Sequence, residues 1–151
     1  ILDLERVALE IVDYINDKPL ENYQLIIGTD SDGRGQVDFV TAIIIRRVGH
    51  GGRYFWTRFQ KRKIFSLSHK IHEEVNASLM AAQRLLKKLK KHWTTHDLQS
   101  SVEIHIDVGE NGPTKDLIHG VVTLVLGYGF SPKTKPKAFG ASMVADRHLG
   151  S

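Results

Sequence analysis

The stretch Leu25-Ile26-Ile27-Gly28-Thr29-Asp30-Ser31-Asp32 most constrains how this chain can fold, because an apolar, β-prone run ends abruptly in two carboxylates. A run this short and apolar reads as a strand covered on both faces, the kind found at the centre of a sheet. Alternation of side chains sends Asp30 and Asp32 to the same side if the chain stays extended, and Gly33 and Gly35 then supply a turn. The acids therefore fall at the carboxyl end of a central strand, where open α/β sheets place their chemistry.

A second stretch repeats the design. Val102-Glu103-Ile104-His105-Ile106-Asp107-Val108-Gly109 alternates, with His105 and Asp107 on one face and Val102, Ile104, Ile106 and Val108 on the other. If this strand lies parallel to the first and beside it, Asp30 and Asp107 meet. Two carboxylates forced together repel each other, which raises one pKa or calls in a cation. A hard divalent ion with oxygen ligands resolves that conflict most naturally.

The remaining elements fall around these two strands. Residues 3 to 16 carry Leu4, Val7, Ala8, Ile11, Val12 and Ile15 as one helical stripe, ended by Asp17-Lys18-Pro19, and predict an added N-terminal helix that packs on the domain. The β-branched run from Val37 to Arg47 predicts a second strand joined to the first as a hairpin, and Gly49-His50-Gly51-Gly52 turns into a third strand, Arg53 to Phe59. Tyr54, Phe55, Trp56 and Phe59 lie there among Arg53, Arg58 and Lys61, a mixture that suits either base stacking or, more commonly, packing on the sheet.

The longest helix is expected from Ser68 to Lys91 or Trp93, capped by Ser66 or Ser68, with Ile71, Val75, Ser78, Leu79, Ala82, Leu85, Leu86 and Leu89 buried. Of its two adjacent acids, Glu74 is drawn to the inward edge by its spacing from Ile71 and Ser78, whereas Glu73 points with Ala77 and Met80. Beyond the Val102 strand, Pro113 suits the first turn of another helix, buried through Leu117, Ile118, Val121, Val122, Leu124 and Val125 and closed by Gly127-Tyr128-Gly129. Phe130 to Lys135 then makes a brief edge strand. In the last helix, Phe139 to Leu149, the small face of Ala138, Ala141, Ser142 and Ala145 permits close approach to the sheet and brings Asp146 near the strand-end acids. Pairing with Arg147 or water is the alternative for Asp146.

Charge and composition narrow the partner. At 151 residues and 41% hydrophobic the chain is expected to form a single domain over 1–151, with 1–19 as a helical extension. No apolar run approaches a membrane span and no secretory pattern opens the chain, so the expectation is a soluble, cytoplasmic protein without membrane association. The lack of cysteine removes thiolate zinc sites, and His69 and His72 lack a third ligand, so a zinc hydrolase is disfavoured. A net charge of +4 and a pI of about 9.4 suit a polyanionic partner, nucleic acid. Lys61-Arg62-Lys63 leads toward the helix that carries Glu74 and is the better phosphate-binding group, with Lys115 and Lys135 as further candidates. The Lys87 to Lys91 group reads as a solvated helix face.

Three strands, a long helix, a strand, a helix, a short strand and a helix, with acids at the first strand end, the long helix, the fourth strand end and the last helix, resemble the ribonuclease H-like superfamily. Within it, Ile27-Gly28-Thr29-Asp30-Ser31, Gly49-His50-Gly51-Gly52-Arg53-Tyr54-Phe55, His105-Ile106-Asp107-Val108-Gly109, Lys135-Pro136 and Ala141-Ser142 through Ala145-Asp146-Arg147 look like the YkuK-like bacterial branch. The resemblance implies a mixed five-stranded α/β sheet in the order 3-2-1-4-5, its first three strands antiparallel and flanked by helices. It also implies two Mg²⁺ or Mn²⁺ ions held by Asp30, Glu74, Asp107 and Asp146.

The implied activity is metal-dependent hydrolysis of phosphodiester bonds in RNA, DNA or a hybrid, with a weakly active or inactive nucleic-acid-binding module as the alternative. Ions roughly 3.5 to 4 Å apart would activate water and stabilise the leaving oxygen. The chain departs from the family at Asp32, where an amide is more usual. It also lacks a counterpart of the mobile histidine that some members place before the last helix, since His148 follows Asp146.

Overall fold

The second half of the first expected hairpin returns along the first half with little to spare. In the computed structural model, which describes residues 3–92, 102–109 and 115–135, both halves belong to one bent element, β1 (Tyr23–Arg47). Val48 N donates to Asn22 O at 2.9 Å and the hydroxyls of Thr29 and Thr41 lie 2.9 Å apart, and both pairs are centred on residue 35. The bend falls where the backbone needs glycine: Gly33 has φ of 113° and Gly35 of 77°. A side chain at Gly33 would come within 2.6 Å of Gln36 O, so the turn requires glycine sterically as well as conformationally.

The outer limb of β1 pairs antiparallel with β2 (Gly52–Ile64), from Arg46 opposite Gly52 to Gly35 opposite Ile64. The inner limb pairs parallel with β3 (Val102–Gly109), which pairs parallel with β4 (Ser131–Lys135). The hydrogen-bonded order is β2-β1-β3-β4. With the two limbs of β1 counted separately, this is the five-stranded 3-2-1-4-5 sheet expected from the sequence. β2 is longer than expected: the ladder continues past Phe59, so Lys61-Arg62-Lys63 is strand, with the bulge opposite Gly35 to Val37 and a left-handed Lys63 (φ 62°) near its end.

One face of this sheet is closed by α1 (Leu4–Asp17) and α2 (Leu67–His92). The helical stripe of α2 is buried throughout, Ile71, Val75, Leu79, Ala82, Leu85, Leu86 and Leu89 meeting Leu25, Ile27, Ile43 and Ile45 of β1 and Val102, Ile104 and Ile106 of β3. Each fully buried aliphatic side chain of this kind contributes about 1.5–3 kcal/mol. Ser66 caps α2, its hydroxyl accepting from His69 N at 3.1 Å. On α1, Asp3 caps the first turn and Val7, Ala8, Ile11 and Ile15 enter the same core.

Arg47 ties α1 to the sheet. Its guanidinium lies 4.1 Å over the Tyr14 ring and donates to Tyr14 O and the Tyr23 hydroxyl, and the Tyr23 bond chiefly holds it even more firmly protonated than an ordinary arginine.

The third helix, α3 (Lys115–Gly127), buries Ile118, Val121 and Val125. Leu124, expected on the buried stripe, is instead 41% exposed, because the stripe runs through residues 118, 121, 122 and 125 and leaves position 124 outside it. The chain leaves α3 through Gly129 (φ 86°), with Gly129 N donating to Leu126 O and Phe130 N to Val125 O. No helix among the described residues is long and apolar enough to cross a membrane.

Candidate active site

The parallel pairing of β1 with β3 sets where the acids go. Leu25 faces Val102, Ile27 faces Ile104 and Gly28 faces His105. Asp30 and Asp107 each follow two residues later, at the carboxyl ends of neighbouring central strands, and the register of β3 against β4 shifts between Ile106 and Gly109, around Asp107. Leu25, Ile27 and Thr29 point toward α2, so alternation puts Asp30, with Gly28 and Ile26, on the opposite sheet face, as it does Glu103 and His105. Asp30 is 9% exposed, Asp107 is half-buried, and Ser31 N donates to Asp30 Oδ1 at 2.9 Å. Asp32 is exposed beyond them.

Glu74 reaches the same strand end from the α2 side. Ser78 Oγ lies 2.8 Å from Thr29 Oγ1, and one helical turn earlier Glu74 accepts a hydrogen bond from the Ser31 hydroxyl. Four residues of helix advance about 6 Å and two residues of strand about 6.6 Å, so the pairs Glu74/Ser78 and Ser31/Thr29 fall into register. Thr41 completes the hydroxyl seam through Thr29. All three hydroxyl residues of the seam are buried, and the seam holds α2 at a fixed position along β1. This seam is invisible in sequence patterning, since Thr29, Ser31, Thr41 and Ser78 are ordinary strand and helix residues. Only the i, i+4 spacing of Glu74 and Ser78 hinted at it.

His105 shares the face of Asp30 and is 8% exposed. Its Nε2 lies 3.5 Å from Glu103 Oε1, and its Nδ1 has no hydrogen-bond partner among the described residues. Burial pushes its pKa below the ordinary histidine value, partly offset by Glu103, while Lys133 on the neighbouring strand adds to the lowering.

Among the described residues no three His, Asp or Glu side chains form a group able to hold a metal ion. Asp146 lies outside the described residues. In kind, the donors fit a hard divalent cation, being carboxylates, two of them near the ends of adjacent parallel strands. Glu74 approaches that strand end from the other face and is engaged by Ser31.

The expected phosphate contacts separate. Lys61 is paired with Glu73, which also lies 3.5 Å from His69 Nε2. Glu73, Ala77 and Met80 do point together, into a cleft of about 460 Å³ between α2 and β2 that Lys61 and Arg84 also line. Arg62 and Lys63 are exposed at the end of β2. Lys115 opens α3 and Lys135 closes β4, and their side chains are outside the described set. Lys70, not singled out by sequence reasoning, donates to Gly33 O at 2.9 Å and ties the first turns of α2 to the β1 bend.

A family model for Ribonuclease H-like proteins matches residues 6–149. The chain belongs to that family. It is also 31% identical over 146 residues to the uncharacterized protein YkuK of Bacillus subtilis (strain 168), an alignment covering 89% of this chain and 83% of the relative. Membership of the Ribonuclease H-like family points to a nucleic-acid-related function, and the fold is typically metal-dependent.

Proposed function

We propose that the protein is a divalent-metal-dependent phosphodiester hydrolase acting on RNA, DNA or a hybrid. The observation that carries this reading is the parallel pairing that sets Gly28 opposite His105, with Asp30 and Asp107 each two residues beyond at the ends of these central strands. Asp30 and Asp107 would hold Mg²⁺ or Mn²⁺, with Glu74 and Asp146 completing the donor set. When bound, two such ions polarise the phosphodiester and lower the pKa of the attacking water. The chain's own residues prepare for this. The Ser31 hydroxyl orients the Glu74 carboxylate, the Ser78–Thr29–Thr41 seam fixes α2 against the strand end, and Ser31 N holds one oxygen of Asp30. Arg62, Lys63, Lys115 and Lys135 supply positive charge for phosphates, and Lys61 joins them by exchanging Glu73 for a phosphate oxygen.

The test is incubation of labelled single strands, duplexes and hybrids with Mn²⁺, Mg²⁺ or chelator, with Asp30→Asn and Asp107→Asn beside the wild type. Cleavage that needs metal and vanishes in both variants is the expected result. Cleavage equal in wild type and variants removes the site from consideration.

A second reading, a nucleic-acid-binding module of the same fold with little or no catalysis, is favoured by the exposed basic residues Arg46, Arg62 and Lys63, because fold alone does not establish activity. It predicts binding that is independent of metal and unchanged in Asp30→Asn.

A further inference from the structure

The face of the sheet that carries Asp30 does not end at β1. The β2 residues that alternate toward α2 are Phe55, buried in the core, and Thr57, Phe59 and Lys61, which line the cleft beside α2. Their neighbours Tyr54, Trp56, Arg58 and Gln60 therefore stand on the Asp30 face. Tyr54 is 45% exposed and Trp56 37%, unusual values for large rings on a strand.

Register fixes where this edge lies. Arg58 faces Val40, Trp56 faces Ala42 and Tyr54 faces Ile44. The β1 bend, centred on residue 35, sets Val40 beside Asp30. One cross-strand row thus runs Asp30, Val40, Arg58, and Trp56 stands in the next row. With strands about 4.8 Å apart, Arg58 lies about 10 Å from Asp30 across the sheet.

Three features specify what this strip accepts. Tyr54 and Trp56, two residues apart on one strand face, stand about 6.6 Å apart along it, wider than the 3.4 Å of stacked duplex bases and suited to the unstacked bases of an extended strand. Val40 and Ala42, the next residues inward, are both 0% exposed, so the sheet face is covered there and the exposed rings lie on the outer strand. Charge is complementary to phosphate. Arg46 and Arg62 are exposed at the two ends of the strip, and Arg58 stands beside Trp56, shared with Asp38 at 3.1 Å. Beside Tyr54, Arg46 and Gly52 line a hollow of about 290 Å³.

We infer that the Tyr54–Trp56 face of β2 is a binding platform for single-stranded nucleic acid, its bases stacking on the two rings and its phosphates following Arg46, Arg58 and Arg62. The platform rests on the nucleic-acid reading of the site, and it narrows the substrate class to single strands or to duplexes with a single-stranded flank.

The experiment measures binding, not cleavage, and is done in chelator so that the fate of the hydrolase reading does not enter. Anisotropy of labelled single-stranded DNA and RNA of about twelve nucleotides, and of the matching duplexes, is read for wild type, Tyr54→Ser, Trp56→Ala and Trp56→Phe, with circular dichroism as the folding control. Wild type is expected to bind both single strands more tightly than the duplexes, with quenching of tryptophan fluorescence. Tyr54→Ser and Trp56→Ala should each weaken single-strand binding by about tenfold, while Trp56→Phe, which keeps a stacking ring, retains most of it. Single-strand affinity unchanged in Tyr54→Ser and in folded Trp56→Ala overturns the platform, as does a preference for duplex. So does a wild-type dimer that Tyr54→Ser converts to monomer without altering nucleic-acid affinity, because the face would then be a contact between copies. If single strands bind as expected but no substrate is cut with metal, the hydrolase reading fails and the platform stands.

Discussion

The two faces of this one sheet are built from the same strands and do opposite work. Toward α1 and α2, β1 and β3 present Leu25, Ile27, Ile43, Ile45, Val102, Ile104 and Ile106, all essentially sealed from solvent, and the polar atoms admitted there, the Thr29, Thr41 and Ser78 hydroxyls, satisfy one another. On the other face β1 and β3 carry Asp30 and His105 toward the centre, and β2 carries Tyr54, Trp56 and Arg58 at the edge. Period-2 alternation places these residues opposite the helices, and Val40 and Ala42 on that same face are buried as fully as the helical core. The hydroxyl seam and Glu74 are where the faces communicate, since both act at the strand end from the helical side.

Substitutions on opposite faces of the same strand give the most direct way to break this comparison. Asp30→Asn is expected to abolish metal-dependent cleavage while leaving the thermal melting profile close to wild type. If it instead unfolds the protein, Asp30 belongs to the scaffold and the division of labour is wrong. On the helical face Leu79→Ala should cost about 2–5 kcal/mol in chemical denaturation, since Leu79 is 1% exposed in the middle of the core, and should change activity only through the folded fraction. A smaller effect is expected at the seam. Thr29→Val leaves the buried hydroxyls of Thr41 and Ser78 without this partner and should cost about 1–3 kcal/mol. Combined with Ser78→Ala the loss should be less than the sum, which a double-mutant cycle measures.

The smallest effect sharpens the edge of the comparison. Asp38 on the Asp30 face is held below the usual carboxylate range, first by the Gln60 side-chain amide and then by Arg58. A carboxyl with a lowered folded pKa adds stability above its unfolded value of about 3.9, and that contribution is lost as pH falls through the folded value. Asp38→Asn should therefore lower the melting temperature slightly at pH 7 and have no such effect in acid below the folded value. A pH series of melting curves for the two proteins reads the difference.

Much of this molecule was legible before any coordinates. The α2 stripe, the α1 stripe, the bend at Gly33 and Gly35 and the alternation of His105 with Ile104 and Ile106 all follow from local rules of period and turn geometry, which act over a few residues and so leave a pattern in the chain. Leu124 shows where such rules stop. It fits an apolar stripe by composition, and only the direction from which α3 meets the sheet leaves it 41% exposed. The extent of β2 is a case of the same kind: nothing local says that a strand continues through Lys61-Arg62-Lys63, because the partner that extends it is the β1 bend at Gly35 to Val37, joined across the sheet.

The amino-acid sequence by itself determined that this chain makes an α/β sheet with acids at the ends of two central strands, because alternation and apolar runs are written residue by residue. Tertiary structure alone decided that Gly28 stands opposite His105, that Glu74 accepts from Ser31, and that Lys61 is paired with Glu73. Those outcomes depend on strand register and on the position of a helix along a strand. Register is settled by packing between segments distant in the chain, and no local pattern encodes it.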